Sequence, residues 1–320
     1  MATTTVSLNR SNRRPEVYEE LSGVLGGQVR RNVILAPYTT FGIGGKADLF
    51  YPVTRPEDLV YAVRTAQKLR VRVLVLGGGS NVLISDSGFR GLVILNRCAD
   101  MHVSQDAISC QSGAWLSDVV HQAGDSALAG LEFAAGIPGT VGGAIRGNAG
   151  AFGQAVGDLL VKAIILTANG EIQEVKKDYF QFAYRESTLR QNGDILLSAK
   201  LRLQKGHPEE IKEKIEVILK KREASLPWKE MSAGCFFKNV LEGGRRVSTG
   251  LLLDRIGAKR MRIGDAQVST KHANIIINAG KARALDVKKL ARQLKIKARE
   301  KLGIYLDEEV VYINGGFSRK

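Results

Sequence analysis

Apolar and polar positions along this chain follow two periods, and the places where one period yields to the other mark its elements. In "VTRPEDLVYAVRTAQKLRVRVLVL", Leu59, Val60, Val63, Ala66 and Leu69 recur at helical spacing and give one apolar face. Thr54 and Glu57 read as a capping box with Pro56 in the first turn, which predicts the helix start. The helical period then yields to "VRVLVL", a strand, to the turn "GGGSN", and to "VLIS", again a strand; Gly88 turns the chain into "GLVIL". A second helix is predicted in "WLSDVVHQAGDSAL", with Leu116, Val119, Val120 and Ala123 on one face. "LLVKAIILTANGEIQEVKK" predicts two strands turned at Asn169-Gly170, the commonest hairpin pair. "HPEEIKEKIEVILKKREASLP" predicts a helix with Ile211, Ile215, Ile218 and Leu219 inward, placed where a linker would join an N-terminal unit to a C-terminal one. A last helix, roughly 284 to 302, puts Val287, Leu290, Ala291, Leu294 and Ala298 inside and stops at Gly303, before the strand "EVVYIN". The order of elements is that of an α+β protein, without internal repeats or low-complexity tracts.

Two glycine-rich stretches interrupt this pattern. "GGGSN" joins strand to strand, whereas a Rossmann dinucleotide loop runs from strand into helix with G-x-G-x-x-G spacing, so that fingerprint is excluded. A triple glycine offers unshielded backbone N–H groups suited to anionic oxygens; the plain alternative is a tight hairpin turn. "GLEFAAGIPGTVGGAIRGNAGAFG", residues 130 to 153, carries eight glycines and, besides Glu132, one charged side chain, Arg146. Glycine weakens both helix and strand, so this stretch is expected to be a functional loop whose backbone approaches something bulky. Two such nests on one α+β unit point to a dinucleotide held outside Rossmann geometry.

Composition narrows the classes. With 320 residues, 44% apolar and 25% charged, the chain is long enough for two or three compact units of ordinary globular character. No apolar run approaches the ~20 residues that cross a bilayer, and the start "MATTTVSLNRSNRRPE" reads as a frayed polar leader, with a transit peptide as the alternative. Three cysteines without a Cys-x-x-Cys pair argue against a disulfide framework and against zinc, and fit a reducing cytosol; four scattered histidines lack metal-ligand spacing. The net charge of +15 suits polyanions, whether nucleic acid, lipid or nucleotide sugars, or reflects a basic proteome. With 6% aromatics and no RNA-recognition or zinc-finger signature, nothing besides charge favours nucleic acid.

Polar candidates for chemistry fall later, in "YRES" (184 to 187), "GCFFKN" (234 to 239), "STKHANIIIN" (269 to 278) and "LDEEVVY" (306 to 312). Each has a plain alternative. Arg185 reads also as a surface ion-pair arginine, Cys235 as a small buried hydrophobe, His272 and Asn274 as turn caps, and Glu308 and Glu309 as a solvated loop end.

The order of the blocks changes that balance. "YTTFGIGGKADLFYPV", "VLGGGSNVLISDSGFRGLVI", "GIPGTVGGAIRGNAGAFG", "YRES", "SAGCFFKN", "IGDAQVSTKHANIIIN" and "LDEEVVYI" run in unbroken order from about residue 30 to 315 and resemble the UDP-N-acetylenolpyruvoylglucosamine reductase family. The short path from "GCFFKN" to "KHAN" is similar to the subgroup lacking an extra substrate-covering insertion. The resemblance implies a vanillyl-alcohol-oxidase-like (PCMH-type) FAD-binding domain in two parts, 31–97 and 98–205, after a leader and first helix (1–30), and an α+β substrate domain over 206–320. Non-covalent FAD would be held by Gly77, Gly78, Gly79, Ser80, Asn81 and Val82, and by Gly139, Thr140, Gly142, Gly143, Ala144 and Asn148. The implied reaction takes hydride from NADPH through FAD to UDP-N-acetylglucosamine enolpyruvate, giving UDP-N-acetylmuramate, a peptidoglycan precursor. Lys238, Asn239, His272 and Asn274 would bind the substrate. A cytoplasmic monomer without metal, nucleic-acid partner or membrane insertion is the expected setting.

On this resemblance Arg185 would fork onto a carboxylate where enolate charge develops, Glu309 would be a second acid or polariser, and Cys235 would supply the proton to the α-carbon. The chain departs from the family in three places: Cys235 stands where most members have serine, Val311 where they have arginine, and Arg146 where many have tyrosine. A thiol, with reference pKa near ~8.5, remains a proton donor at neutral pH. Two other readings compete: an FAD oxidase of some other alcohol or amine, for which "GCFFKN" and "KHAN" have no purpose, and a basic nucleotide- or RNA-binding protein, which rests on charge alone.

Overall fold

The computed structural model describes residues 14–315; the first 13 residues of the expected leader lie outside them. By contacts the chain divides into two compact units. One is made of residues up to Val33, Ala47–Gly78 and Arg90–Lys220; the other of Ile34–Lys46, Gly79–Phe89 and residues from Lys221 onward.

The first unit contains two sheets. In the four-stranded one the order is Arg30–Ile34, Lys46–Val53, Phe89–Asn96, Val73–Leu76. Its last two strands run parallel, Val73 opposite Leu92 through Leu76 opposite Leu95, and Leu92 through Leu95 are all buried, the continuous apolar run that a strand covered on both faces requires. The helix Pro56–Lys68 packs Leu59, Val60, Ala62, Val63 and Ala66 into the core of this sheet, as its period predicts. Its start differs from expectation. Arg55 rather than Thr54 is the N-cap, because Pro56 occupies the first helical position, and the Arg55 guanidinium bonds Asp58 across the first turn at 2.8 Å. The second sheet is antiparallel, in the order Ile172–Lys176, Leu160–Leu166, Ile195–Arg202, Ala107–Gln111, Met101–Ser104. Its first hairpin closes through a longer loop than an Asn-Gly pair alone would give: Thr167 N–H donates to Glu171 O and Gly170 N–H to Thr167 O, at 2.8 Å each. Helix Leu116–Asp125 lies on this core through the face read from sequence.

The glycine-rich stretch is not loop throughout. Val141–Arg146 forms a short helix, because Val141, Ala144 and Ile145 have core to bury while Gly142 and Gly143 need none. The "GGGSN" segment is not a hairpin either. Val73–Leu76 pairs with Phe89–Asn96, whereas Val82–Ile84 pairs in parallel with Val311–Ile313, so the strands flanking the glycines are not partners.

In the second unit the antiparallel order is Met231–Cys235, Ile275–Asn278, Ala266–Val268, Arg262–Ile263, and helix Ala284–Leu302 buries Val287, Leu290, Ala291, Leu294 and Ala298 in the same core. That helix is capped from far away in sequence: Asp86 Oδ1 accepts the Ala284 N–H at 2.8 Å and Oδ2 the Leu285 N–H at 3.1 Å. Two donors that the helix cannot satisfy itself are thus met by a negative charge at the positive end of its dipole. Asp86→Ala should therefore lower stability by about 1 kcal/mol, measured as a shift of the urea midpoint at unchanged slope, with Asp86→Asn retaining part of it.

Candidate functional site

The first unit holds a cavity of about 180 Å³ lined by apolar side chains such as Val63, Val73 and Leu196, by glycine backbone, and by Thr140 and Arg146. The two glycine stretches meet there. A Cβ at Gly77 would fall 2.3 Å from Thr140 Oγ1, and one at Gly78 would fall 2.8 Å from the Trp115 ring and 2.9 Å from Gly139 Cα, so backbone lies on backbone and side chains are excluded. Arg97 reinforces the contact: Nη1 donates to Gly77 O at 3.0 Å while the guanidinium covers the Trp115 ring at 5.1 Å. Some of the expected backbone donors are already engaged. Gly142 N–H bonds Ser112 O at 2.8 Å and Ala144 N–H bonds Thr140 O at 2.8 Å, so Gly142 lines the cavity as a bare surface rather than as a donor, and Ala144 is buried in the core. In the same lining Asp194 accepts from Ala168 N–H (2.7 Å) and Asn192 Nδ2 (2.6 Å) and is bonded by the Tyr179 hydroxyl, whose pKa burial, then the Asp194 bond, push up to about 12.

Asn148, expected at the cofactor, has both ends of its buried amide on backbone: Oδ1 accepts the Gly157 N–H at 3.0 Å and Nδ2 donates to Ala183 O at 2.9 Å. Ala183 and Glu186 exchange backbone bonds of 3.2 and 3.1 Å around Tyr184-Arg185, and Arg185 has the left-handed φ of 58°. Arg185 Nη1 donates to Gly150 O at 3.0 Å, and Ser187 Oγ to Arg146 O at 2.8 Å. Three side-chain bonds therefore fasten the "YRES" turn to the second glycine stretch. They hold Arg185 in a backbone conformation that non-glycine residues seldom adopt.

In the second unit the strand Met231–Cys235 is bulged. Ser232 pairs with Ile277 and Cys235 with Ile275, and the extra residue is taken up at Gly234, whose φ of 73° needs glycine although a Cβ there would touch nothing. Beyond the bulge Asn274, 2% exposed, spans Phe237: Oδ1 accepts its N–H at 3.0 Å and Nδ2 donates to its C=O at 2.8 Å. Asn274 O accepts the Phe236 N–H at 2.7 Å. On the other side, Glu309 N–H donates to Phe236 O at 2.9 Å and Lys238 N–H to Asp307 O at 2.8 Å. Asn81 of the "GGGSN" loop joins this frame, donating through Nδ2 to Glu309 O at 3.3 Å and accepting the Val311 N–H at 3.1 Å. Cys235, Glu309, Asn274 and Asn81 are thus brought together.

Neighbouring candidates divide by what they touch. Glu308 is ion-paired to Lys295 at 2.8 Å, which separates it from Glu309. Lys238 O and Asn239 Oδ1 accept from Thr249 Oγ1 and N–H at 2.7 and 3.2 Å. His272 Nδ1 accepts the Asn274 N–H at 3.3 Å; burial, then Lys259, lowers its pKa, so the ring is neutral at pH 7. None of the three cysteines is in a disulfide. Cys98 and Cys110 are buried, and burial pushes their thiols up to about 11 and about 12, whereas Cys235 is half-buried. Among the described residues no cluster of His, Cys, Asp and Glu could hold a metal, and no helix is long and apolar enough to cross a membrane.

Comparison with known proteins bears on both units. The family described as FAD binding domain matches residues 47–176, and that described as UDP-N-acetylenolpyruvoylglucosamine reductase, C-terminal domain, matches residues 226–313. UDP-N-acetylenolpyruvoylglucosamine reductase 2 of Bacillus anthracis is 38% identical over 297 residues, covering 92% of this chain and 96% of the relative. The chain belongs to the UDP-N-acetylenolpyruvoylglucosamine reductase family. The reductase of Clostridium novyi (strain NT) is 34% identical over 92% of this chain and 95% of its own. The crystal structure of UDP-N-acetylenolpyruvylglucosamine reductase (MurB) from Thermus caldophilus superposes with a TM-score of 0.76 at 33% identity, covering 89% of this chain and 98% of that one. The fold is therefore that of the reductase family, an FAD-binding domain with a further C-terminal part, in a mixed α+β chain, as the resemblance implied.

The cavity of the first unit suits FAD. It is lined by apolar side chains suited to part of a flat ring system, by bare glycine backbone at Gly77, Gly142 and Gly143, and by a guanidinium. Sequence reading missed Asp194 as a cavity residue, and Trp115 and Arg97 as residues lying on the first glycine stretch. Trp115 was visible at the mouth of the second helix, but no local pattern announces a ring lying on a glycine in another segment. Since Gly78 meets the Gly139 backbone, nothing there can yield to a methyl group. Gly78→Ala should therefore weaken FAD binding about tenfold or more, read as flavin content after purification and as Kd by fluorescence quenching.

Proposed function

We propose that this protein reduces UDP-N-acetylglucosamine enolpyruvate to UDP-N-acetylmuramate with NADPH as reductant, in the cytoplasm and as a monomer, supplying a peptidoglycan precursor for cell shape and division. Residues 31–97 and 98–205 form the FAD-binding parts on this reading and 206–320 the substrate domain, with Gly77, Gly78, Gly79, Ser80, Asn81 and Val82 and the 139–148 segment holding the cofactor. FAD held by these residues would supply the hydride chemistry, between NADPH as donor and the β-carbon of the enol ether as acceptor. The chain's residues manage the charge and the proton that this leaves. Arg185, a permanent cation in a fastened turn, takes the substrate carboxylate and stabilises the enolate. Cys235 gives its thiol proton to the α-carbon and is reprotonated from solvent, so the double bond gains one hydride and one proton. Glu309 polarises the same centre, on a segment bonded to the backbone of Phe236. Lys238, Asn239 and His272 bind the nucleotide sugar. Asn274 acts one step removed: its amide is committed to Phe237, so it positions the Cys235 strand rather than touching substrate.

The observation that carries the reading is the held strand. A half-buried cysteine follows a glycine bulge and is braced by Asn274 on one side and by the Glu309 segment on the other, in a chain of the reductase family. That bracing belongs to a group that must meet a carbon atom in one geometry. Cys235→Ala should leave reduction of the bound flavin by NADPH nearly unchanged and slow its reoxidation by the enolpyruvyl sugar about 10²–10⁴-fold, with Cys235→Ser retaining activity. Anaerobic stopped-flow of the two half-reactions makes the test, and reoxidation of the alanine variant at the wild-type rate would refute the assignment.

A further inference from the structure

Helix Ala284–Leu302 of the second unit buries Val287, Leu290, Ala291, Leu294 and Ala298 on one side. On the opposite side Leu285, Lys289, Arg292, Ile296 and Arg299 follow one another at steps of four, three, four and three residues, which sets them in one line along the helix. All five are exposed, Leu285 at 47% and Ile296 at 46%. Tyr305, just past the helix end, is 71% exposed and lies under the Arg299 guanidinium at 5.1 Å. The line therefore alternates cations with apolar side chains and contains no acid. Of the two carboxylates in the helix, Asp286 is buried and paired with Arg283 at 3.1 Å, and Glu300 falls beside the line rather than on it. The lysines that flank the line are spent on the unit itself: Lys295 on Glu308 at 2.8 Å, Lys297 on Gly257 O at 3.1 Å and Lys288 on Asn314 Oδ1 at 3.3 Å. Among the described residues Lys289, Arg292 and Arg299 make no ion pair.

The chemistry of that line selects its partner. A second copy of this chain, docked face to face, would set cations against cations. A nucleic-acid backbone would take the three cations but has no use for exposed leucine and isoleucine between them. An anionic lipid surface takes both kinds at once. Its phosphates meet the Lys and Arg heads, whose long stems reach outward, while Leu285, Ile296 and Tyr305 enter the boundary between headgroups and chains. We propose that the outer face of helix Ala284–Leu302, through Leu285, Lys289, Arg292, Ile296, Arg299 and Tyr305, docks the protein reversibly on an anionic lipid surface. Docking is peripheral: the core face of the helix stays packed in its own unit, and three cations with a few apolar side chains hold a protein weakly rather than anchor it. The net charge of +15 attracts the whole chain to the same surface, and the line decides which face arrives.

The test is co-sedimentation of the full chain with vesicles of phosphatidylcholine alone or of phosphatidylcholine and phosphatidylglycerol in equal parts, at low ionic strength. The chain should bind the anionic vesicles and leave the neutral ones. Each cation at the surface contributes about fivefold, so a variant with Lys289→Gln, Arg292→Gln and Arg299→Gln together should bind about 100-fold more weakly. Ile296→Gln, which leaves the charge unchanged, should weaken binding about fivefold. Equal binding to both kinds of vesicle, or unchanged binding of the triple variant, would overturn the proposal. Full binding by Ile296→Gln would overturn it as well, because an attraction of charge alone needs no apolar contact. Tighter binding of a single-stranded RNA homopolymer than of the anionic vesicles, lost in the same triple variant, would assign the face to nucleic acid instead. Far-UV circular dichroism checks that the variants are folded, and Arg292→Gln alone, with an expected loss of about fivefold, carries the test if the triple variant is not.

Discussion

A buried asparagine amide with both ends committed to main chain holds each of the two segments proposed to carry the reaction. Asn148 joins Gly157 and Ala183 and so fixes the turn that presents Arg185; Asn274 grips the N–H and C=O of Phe237 and so fixes the strand that presents Cys235. Only an amide can do this, because the backbone offers one donor and one acceptor at each place, and a carboxylate of the same shape would supply acceptors alone. Buried polar groups with every partner in place are rigid and costly to misplace, which is the property that a site delivering charge and proton to defined atoms needs.

The same frame explains a division of labour among residues that sequence places side by side. Glu308 and Glu309 are adjacent, yet Glu308 is tied to Lys295 while the Glu309 backbone is tied to Phe236 and Asn81. Phe236 and Phe237 are both buried, roughly 1.5–3 kcal/mol of apolar transfer apiece, and they anchor the segment between Cys235 and Lys238 in the core of the second unit. The aromatic pair is thus the root of the strand rather than a lid over the thiol.

Much of the fold was legible because helical and strand periods survive in sequence wherever one face is buried. The 56–68 and 284–302 helices bury the residues their spacing picks out. What was misread depended on one stronger local rule or on distant partners. Thr54 and Glu57 match a capping box, but Pro56 at the first helical position moves the cap to Arg55. The 130–153 stretch looked like loop because glycine disfavours helix, yet Val141, Ala144 and Ile145 had a core to fill. Its glycines announced close approach without naming what approaches, since Thr140 and Trp115 reach Gly77 and Gly78 from other segments. Asn148 and Asn274 were legible as polar residues in motifs; that their amides are spent on backbone could only be seen in three dimensions.

The central claim is that Cys235 is the acid that completes the reaction, and its exposure allows a direct test on the unsubstituted protein. Cys98 and Cys110 are buried and Cys235 is half-buried, so a small thiol-alkylating reagent followed by peptide mapping should modify Cys235 first and substrate should protect it. The account predicts that alkylated protein is still reduced by NADPH but no longer reoxidised by UDP-N-acetylglucosamine enolpyruvate. Protein fully alkylated at Cys235 that reoxidises at the unmodified rate would contradict it.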